Sequence, residues 1–129
     1  MGNINSINSI KKYNFEDMRS AILNKDNLII NTLAEDNQEC LIQGTIDIKR
    51  ETSILNDSLS KTKGKLIVIY GMNNNDEKIF IQYKKLTDLG FTNVYVYIGG
   101  LFEWLLLQEI YGQEHFPTTT HELDHLKYK

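Results

Sequence analysis

The spacing of apolar positions changes repeatedly along this chain, and each change marks an element. Behind Asn14, whose side chain can accept from free N–H groups at a helix start, Phe15, Met18, Ile22 and Leu23 recur at helical spacing and predict a first helix. Leu28, Ile29 and Ile30 form a short apolar run between Asn27 and Asn31, as a buried strand would. A polar stretch from Glu35 to Glu39 leads to Leu41 and Ile42, and a turn at Gly44 precedes Ile46 and Ile48; the pattern there is locally ambiguous. Residues Ser53 to Ser60 predict a short helix with Ile54, Leu55 and Leu59 on one face. The run Leu66 to Tyr70 is apolar throughout and predicts a strand in the middle of a sheet. Asp76 or its neighbour opens a helix carrying Ile79, Phe80, Tyr83, Leu86 and Leu89, which Gly90 ends. Val94 to Ile98 reads as another strand, Gly99 and Gly100 as a tight turn, and Leu101 to Ile110 as an apolar, mostly buried helix containing Trp104. Strands alternating with helices predict an α/β fold, a parallel sheet with helices on both faces.

At 129 residues and 15.0 kDa the chain holds one ordinary domain with a core of its own. The expected division is a flexible arm over residues 1–8, a domain over 9–113 and a tail over 114–129 with a short helix. One of Thr118 to Thr120 is expected to cap that helix, with Leu123 and Leu126 packing inward. A net charge of −3 attracts no phosphate backbone, so nucleic acid is not an expected partner. No apolar run approaches the roughly 20 residues that span a bilayer, and the polar stretch Met1 to Ser9 does not resemble a signal peptide. The single cysteine, Cys40, allows no internal disulfide and fits a reducing, intracellular and cytoplasmic setting.

The order of strand LIVIY, loop, helix ending LGF, strand NVYVYIGG and helix LFEW resembles the C-terminal half of a rhodanese-like domain, the sulfurtransferase family. More weakly, Asn27 to Asn31 resembles the strand that ends in the family's Asp-x-Arg, and Leu41 to Ile46 its His-Ile-Pro-Gly-Ala segment. The likeness covers about Ser9 to Tyr111 and implies a parallel five-stranded sheet flanked by helices. In the family, the strand equivalent to LIVIY delivers a cysteine that accepts sulfane sulfur and begins a loop C-x-x-x-x-R around the substrate anion.

Departures from that pattern fall on the chemistry. The resemblance places Gly71 at the cysteine position, followed by Met72, Asn73, Asn74, Asn75, Asp76 and Glu77, with Asp76 at the place of the loop arginine. Such a loop holds no thiolate and no cation beside it, and it carries two carboxylates where an anion should be attracted. A glycine at this turn is also expected to hold a backbone conformation that cysteine tolerates poorly. Upstream, Asn31 and Leu33 stand for the family's Asp and Arg, and Leu41 and Gln43 for its His and Pro, while Gly44 and Ile46 are retained. The resemblance therefore implies an inactive homologue with no cofactor, a rhodanese-like module with a protein-binding or structural role, its partner another protein or a second copy of itself. Backbone N–H groups of the loop could still cradle an anion, but Asp76 or Glu77 is expected to satisfy them internally.

Two further features compete with that reading. Cys40 could serve a sulfurtransferase or phosphatase-like enzyme as a non-standard nucleophile, yet no basic neighbour in sequence lowers its pKa, and a small buried side chain is the expected role. His121-Glu122-Leu123-Asp124-His125 matches H-E-x-x-H, which on a helix can hold zinc. It lacks a third ligand and an enclosing cleft, so no metal site is expected.

Overall fold

The structure is a computed structural model describing residues 10–129. The arm expected over residues 1–8 lies outside the described residues. Strand β1 is Lys12–Tyr13, helix α1 Phe15–Ala21, β2 Leu28–Asn31, α2 Glu51–Lys61, β3 Ile67–Tyr70, α3 Lys78–Leu89, β4 Val94–Tyr97 and α4 Gly100–Tyr111. Short 3₁₀ turns occupy Glu35–Asn37 and His125–Tyr128.

Asn14 caps α1 reciprocally: its Oδ1 accepts from Asp17 N–H at 2.9 Å, and Asp17 Oδ2 accepts from Asn14 N–H at 3.0 Å. The helix stops at Ala21, so Leu23, expected on its apolar face, is 83% exposed. Helix α3 ends where foreseen, at Gly90, whose φ of +113° lies in the left-handed region that glycine enters without penalty.

The sheet runs β1-β4-β3-β2 and is parallel throughout, with Leu28 beside Ile67, Ile67 beside Val94, and Tyr13 beside Tyr97. It has four strands among the described residues, not the five expected. The missing edge is reduced to one parallel bridge between Ile29 and Thr45, in which Ile46 N–H donates to the Ile29 carbonyl at 2.8 Å. Gly44, at φ +94°, breaks the extended backbone just before the bridge, and a turn from Asp47 to Arg50 follows it. Residues 41–43 instead pair with the tail: Thr119 N–H donates to the Leu41 carbonyl at 2.8 Å and Gln43 N–H to the Pro117 carbonyl at 3.0 Å. Strand β1 escaped the sequence reading because two residues carry no periodicity.

Alternating strand residues feed two cores, as period-2 geometry requires. Leu28, Ile30, Ile67, Ile69, Val94 and Val96 face α2 and α3, meeting Ile79 and Leu86. Ile29, Val68, Tyr70 and Tyr97 face α1 and α4, meeting Met18, Leu101, Trp104 and Leu105. Phe116 and Tyr128 complete this second core. The tail's short helix is confined to the 3₁₀ turn at His125–Tyr128, and the inward packing expected of Leu123 and Leu126 does not occur: those side chains are 77% and 63% exposed, because the inner positions go to Phe116, Thr118 and Tyr128. Helix α4 is also less buried than expected, with Leu106, Ile110 and Tyr111 on its outer face. No helix among the described residues is long and apolar enough to cross a membrane.

Candidate functional site

In an open parallel sheet, ligands bind outside the carboxyl ends of the strands. The loop from Gly71 to Glu77 leaves that end of β3, an inner strand paired on both sides. Its backbone is held from two directions. The first turn of α4 donates from Leu101 N–H to the Gly71 carbonyl at 2.9 Å and from Phe102 N–H to the Met72 carbonyl at 2.8 Å. The approach is close: a Cβ on Gly100 would lie 2.8 Å from both Asn73 N and the Gly71 oxygen. From the other direction comes the tail, whose Tyr128 carbonyl accepts from Asn73 Nδ2 at 2.8 Å. Asn73 Oδ1 in turn accepts from Asn75 N–H at 2.8 Å.

Asp76 reaches back across this loop. Its Oδ2 accepts from Met72 N–H at 3.2 Å and from Thr32 Oγ1 at 3.1 Å, and its Oδ1 accepts from Lys78 N–H at 3.1 Å. The carboxylate thus spends donors both at the loop's start and in the first turn of α3, where an anion is favoured by the helix dipole. A Cβ on Gly71 would overlap the Asp76 carboxylate and approach Thr32 Oγ1 to 2.8 Å. The space beside Gly71 is therefore taken by the side chain five residues further on. Glu77 does not share this role; it is exposed and makes no capping bond. The expectation of an unusual backbone at Gly71 is corrected: positive φ occurs at Gly44, Gly90, Gly100 and Gly112, not at Gly71. What a larger residue would meet at 71 is steric, not torsional.

Upstream, buried Asn31 pairs with Gln38 through both amide groups, at 2.8 and 3.1 Å, and its Oδ1 also accepts from Leu33 N–H at 3.0 Å. These bonds stiffen the turn that presents Thr32 to Asp76. Beneath the loop, Tyr70 Oη accepts from Ile42 N–H at 3.1 Å and lies 2.8 Å from Thr45 Oγ1. Burial pushes the Tyr70 phenol far above its ordinary pKa, and burial followed by the 2.6 Å bond to Glu103 does the same to Tyr97.

The remaining sequence candidates lie apart from the loop. Cys40 is 1% exposed, with Sγ 3.5 Å from the Thr120 carbonyl oxygen. Residues 121–124 are not helical, so His121 and His125 do not share a helix face; His125 Nε2 lies 3.8 Å from Glu109 Oε2. No group of three or more His, Cys, Asp and Glu side chains among the described residues could hold a metal ion. Sequence reasoning passed over Thr32 and Gln38. Thr32 follows a strand end and could have been flagged as a rim position; nothing local to Gln38 or Tyr128 signals their partners.

The family model for the rhodanese-like domain matches residues 11–107, three quarters of the sequence. The chain belongs to the rhodanese-like domain family. Solved structures agree on the fold. The Alr3790 protein from Anabaena sp. superposes with a TM-score of 0.60 at 20% identity, covering 89% of this chain and 97% of that one. The solution structure of the rhodanese-like domain from the same Anabaena protein gives 0.57 at 19%, over 88% and 89%. A crystal structure of its Rhodanese_3 like domain gives 0.51 at 23%, over 73% and 99%. No curated protein matches the sequence. For a rhodanese-like domain, the carboxyl end of β3 and the loop that follows are the natural place to look for function.

Proposed function

We propose that this chain is a catalytically inactive rhodanese-like module with a protein-binding or structural role, in which Gly71 stands at the position of the family's catalytic cysteine and residues 71–77 are its former active-site loop. The observation that carries this reading is the seating of Asp76. Sulfur transfer needs a nucleophile, a cation nearby and donors free to receive an anion. Here a carboxylate fills the space beside Gly71 and accepts from Met72 N–H, so the loop carries its own anion. Neither thiosulfate nor phosphate gains by replacing a covalently tethered carboxylate that is already hydrogen-bonded. Cys40 offers no substitute, since an alkylating or sulfur-donating molecule has no path to a thiol that is 1% exposed. An intracellular, cytoplasmic setting, no nucleic acid and a protein or a second copy as partner belong to the same proposal. So does the division into an arm over 1–8, a domain over 9–113 and a tail over 114–129, with Phe116 and Tyr128 tying that tail into the folding unit.

The test is incubation of the full chain with thiosulfate, then intact mass for a bound sulfur atom and colorimetry for thiocyanate after cyanide. Neither product is expected. Thiocyanate from the native chain, abolished in Cys40→Ala, would establish the enzyme instead. The same assay applies to Gly71→Cys, which should remain inert and lose stability because its side chain collides with Asp76. Gly71→Cys with Asp76→Ala should regain stability, and adding a cation through Asp76→Arg and Glu77→Ser should lower the thiol pKa. Robust turnover by Gly71→Cys alone would show that Asp76 does not block the site.

A further inference from the structure

Beside the loop, between the start of α1 and the outer face of α4, a groove of about 690 Å³ opens at the carboxyl ends of β1 and β4. Tyr13 and Phe15 form one wall, and Ile98, Phe102 and Leu106 the other. Two carboxylates line it, Asp17 and Glu103, against one ammonium, Lys12. Each acid is held in place by one bond: Asp17 Oδ2 by Asn14 N–H, and Glu103 Oε1 by Tyr97 Oη. Each therefore keeps an oxygen for another donor. At the nearby start of α4, the Leu101, Phe102 and Glu103 N–H groups are spent on the Gly71, Met72 and Gly99 carbonyls.

On the outer face of α4, Leu106 is followed one turn later by Ile110, 69% exposed, and one residue further by Tyr111, 60% exposed. An apolar channel with an acidic border is complementary to a segment that carries apolar side chains beside cations.

We propose that this groove docks a partner protein through an apolar segment bearing arginine or lysine, with the aliphatic side chain between Phe15 and Phe102 and the cation at Glu103 and Asp17. The proposal rests on the reading of the chain as a binding module and names the chemistry of its partner. The probe is a blocked peptide of leucines and arginines at helical spacing, titrated into the full chain while backbone ¹H–¹⁵N shifts are followed. A matched peptide with glutamate for arginine and free arginine amide serve as controls. The arginine peptide should saturate, weaken with salt, and shift Tyr13, Phe15, Phe102 and Leu106 first. The glutamate peptide should not bind, and arginine amide should bind far more weakly because it lacks the apolar part. Glu103→Gln with Asp17→Asn keeps both acceptors for Tyr97 and Asn14, and should weaken the arginine peptide about tenfold. Leu106→Ser, exposed and outside the core, should weaken it as well. Equal binding of both peptides, shifts centred elsewhere, or unchanged affinity in both variants would overturn the proposal. Thiosulfate turnover by the native chain with the groove still binding would overturn the inactive-module reading and leave the groove standing; an inert chain that ignores the peptide would overturn the groove alone.

Discussion

The two faces of the sheet are built on different principles. The face toward α2 and α3 is aliphatic, with Leu28, Ile30, Ile67, Ile69, Val94 and Val96 meeting Ile79 and Leu86; its strands bring no polar side chain inward, and the buried polar atoms on that side, of Ser58 and Glu51, come from α2. The face toward α1 and α4 is aromatic and carries polar atoms that need partners once buried. Tyr97 and Phe116 both pack edge-on against Trp104, with ring centroids 5.9 and 5.0 Å away. Trp104 Nε1 donates to the Pro117 carbonyl at 3.1 Å, and Gln108 Nε2 to the Phe116 carbonyl at 2.7 Å and to Thr118 Oγ1 at 3.0 Å. Tyr70 finds Ile42 and Thr45, whereas Tyr128 Oη is buried with no partner among the described residues. The contrast teaches why the tail matters on one side only. The aliphatic face is closed by its own two helices, while the aromatic face leaves donors that only residues 116–118 accept.

Substitutions should expose that asymmetry in order of size. Trp104→Ala removes the centre of the aromatic cluster and leaves the Pro117 carbonyl with Gln43 N–H alone, for an expected cost of about 3–5 kcal/mol in urea unfolding. Ile69→Val, on the other face, should cost about 0.5–1.5 kcal/mol; equal costs would erase the distinction. Next comes alkaline pH. Tyr70 and Tyr97 are held above the ordinary tyrosine value in the folded state, so the unfolded chain gives up its phenolic protons first. Their contribution is complete below about pH 10 and is lost as pH rises beyond it, by about 1.4 kcal/mol per group at one unit past that value. Urea midpoints at pH 8 and 11 should show the fall, and the Tyr70→Phe, Tyr97→Phe double variant should lose most of it.

Two single hydroxyl deletions sharpen the comparison within the aromatic face. Tyr70→Phe leaves Ile42 N–H buried and unpaired and should cost about 1–3 kcal/mol. Tyr128→Phe removes a hydroxyl that has nothing to lose and should be neutral or stabilising by chemical denaturation. A similar penalty at both would mean that Tyr128 Oη has a partner after all. The smallest effect is expected at Leu123→Ser and Leu126→Ser. Both side chains are largely exposed, and each change should stay within about 0.5 kcal/mol. A larger loss would restore the inward-facing tail helix that the sequence pattern suggests.

Much of the frame was legible without coordinates, because short-range physics specifies it. The all-apolar run at Ile67 to Tyr70 can be satisfied only between two other strands, and β2 and β4 flank it. Asn14 and Gly90 delimit helices through bonds to residues three or four positions away, and those bonds form wherever the rest of the chain lies. The residue types of the loop, Gly71 and Asp76 among them, are likewise read directly.

Other features depend on residues far apart in sequence. The period of Leu123 and Leu126 suggested an inner helical face, but the inner places were already taken by Phe116 and Tyr128, and packing volume cannot be filled twice. The five-stranded sheet was implied by the resemblance and Leu41 to Ile48 was locally ambiguous; residues 41–43 hydrogen-bond to a tail almost 80 positions away, and a backbone group donates or accepts where geometry brings a partner. That Asp76 would not merely repel an incoming anion but occupy the volume beside Gly71 required Thr32, 44 residues upstream, to stand within 3.1 Å of it. Sequence by itself determined most of the helices, the inner strands and the residue types of the loop, but not β1 or the course of the tail. Tertiary structure alone decided what fills the vacant space, because that outcome belongs to contacts between segments and to the volumes they leave, neither of which is a property of any one stretch of the chain.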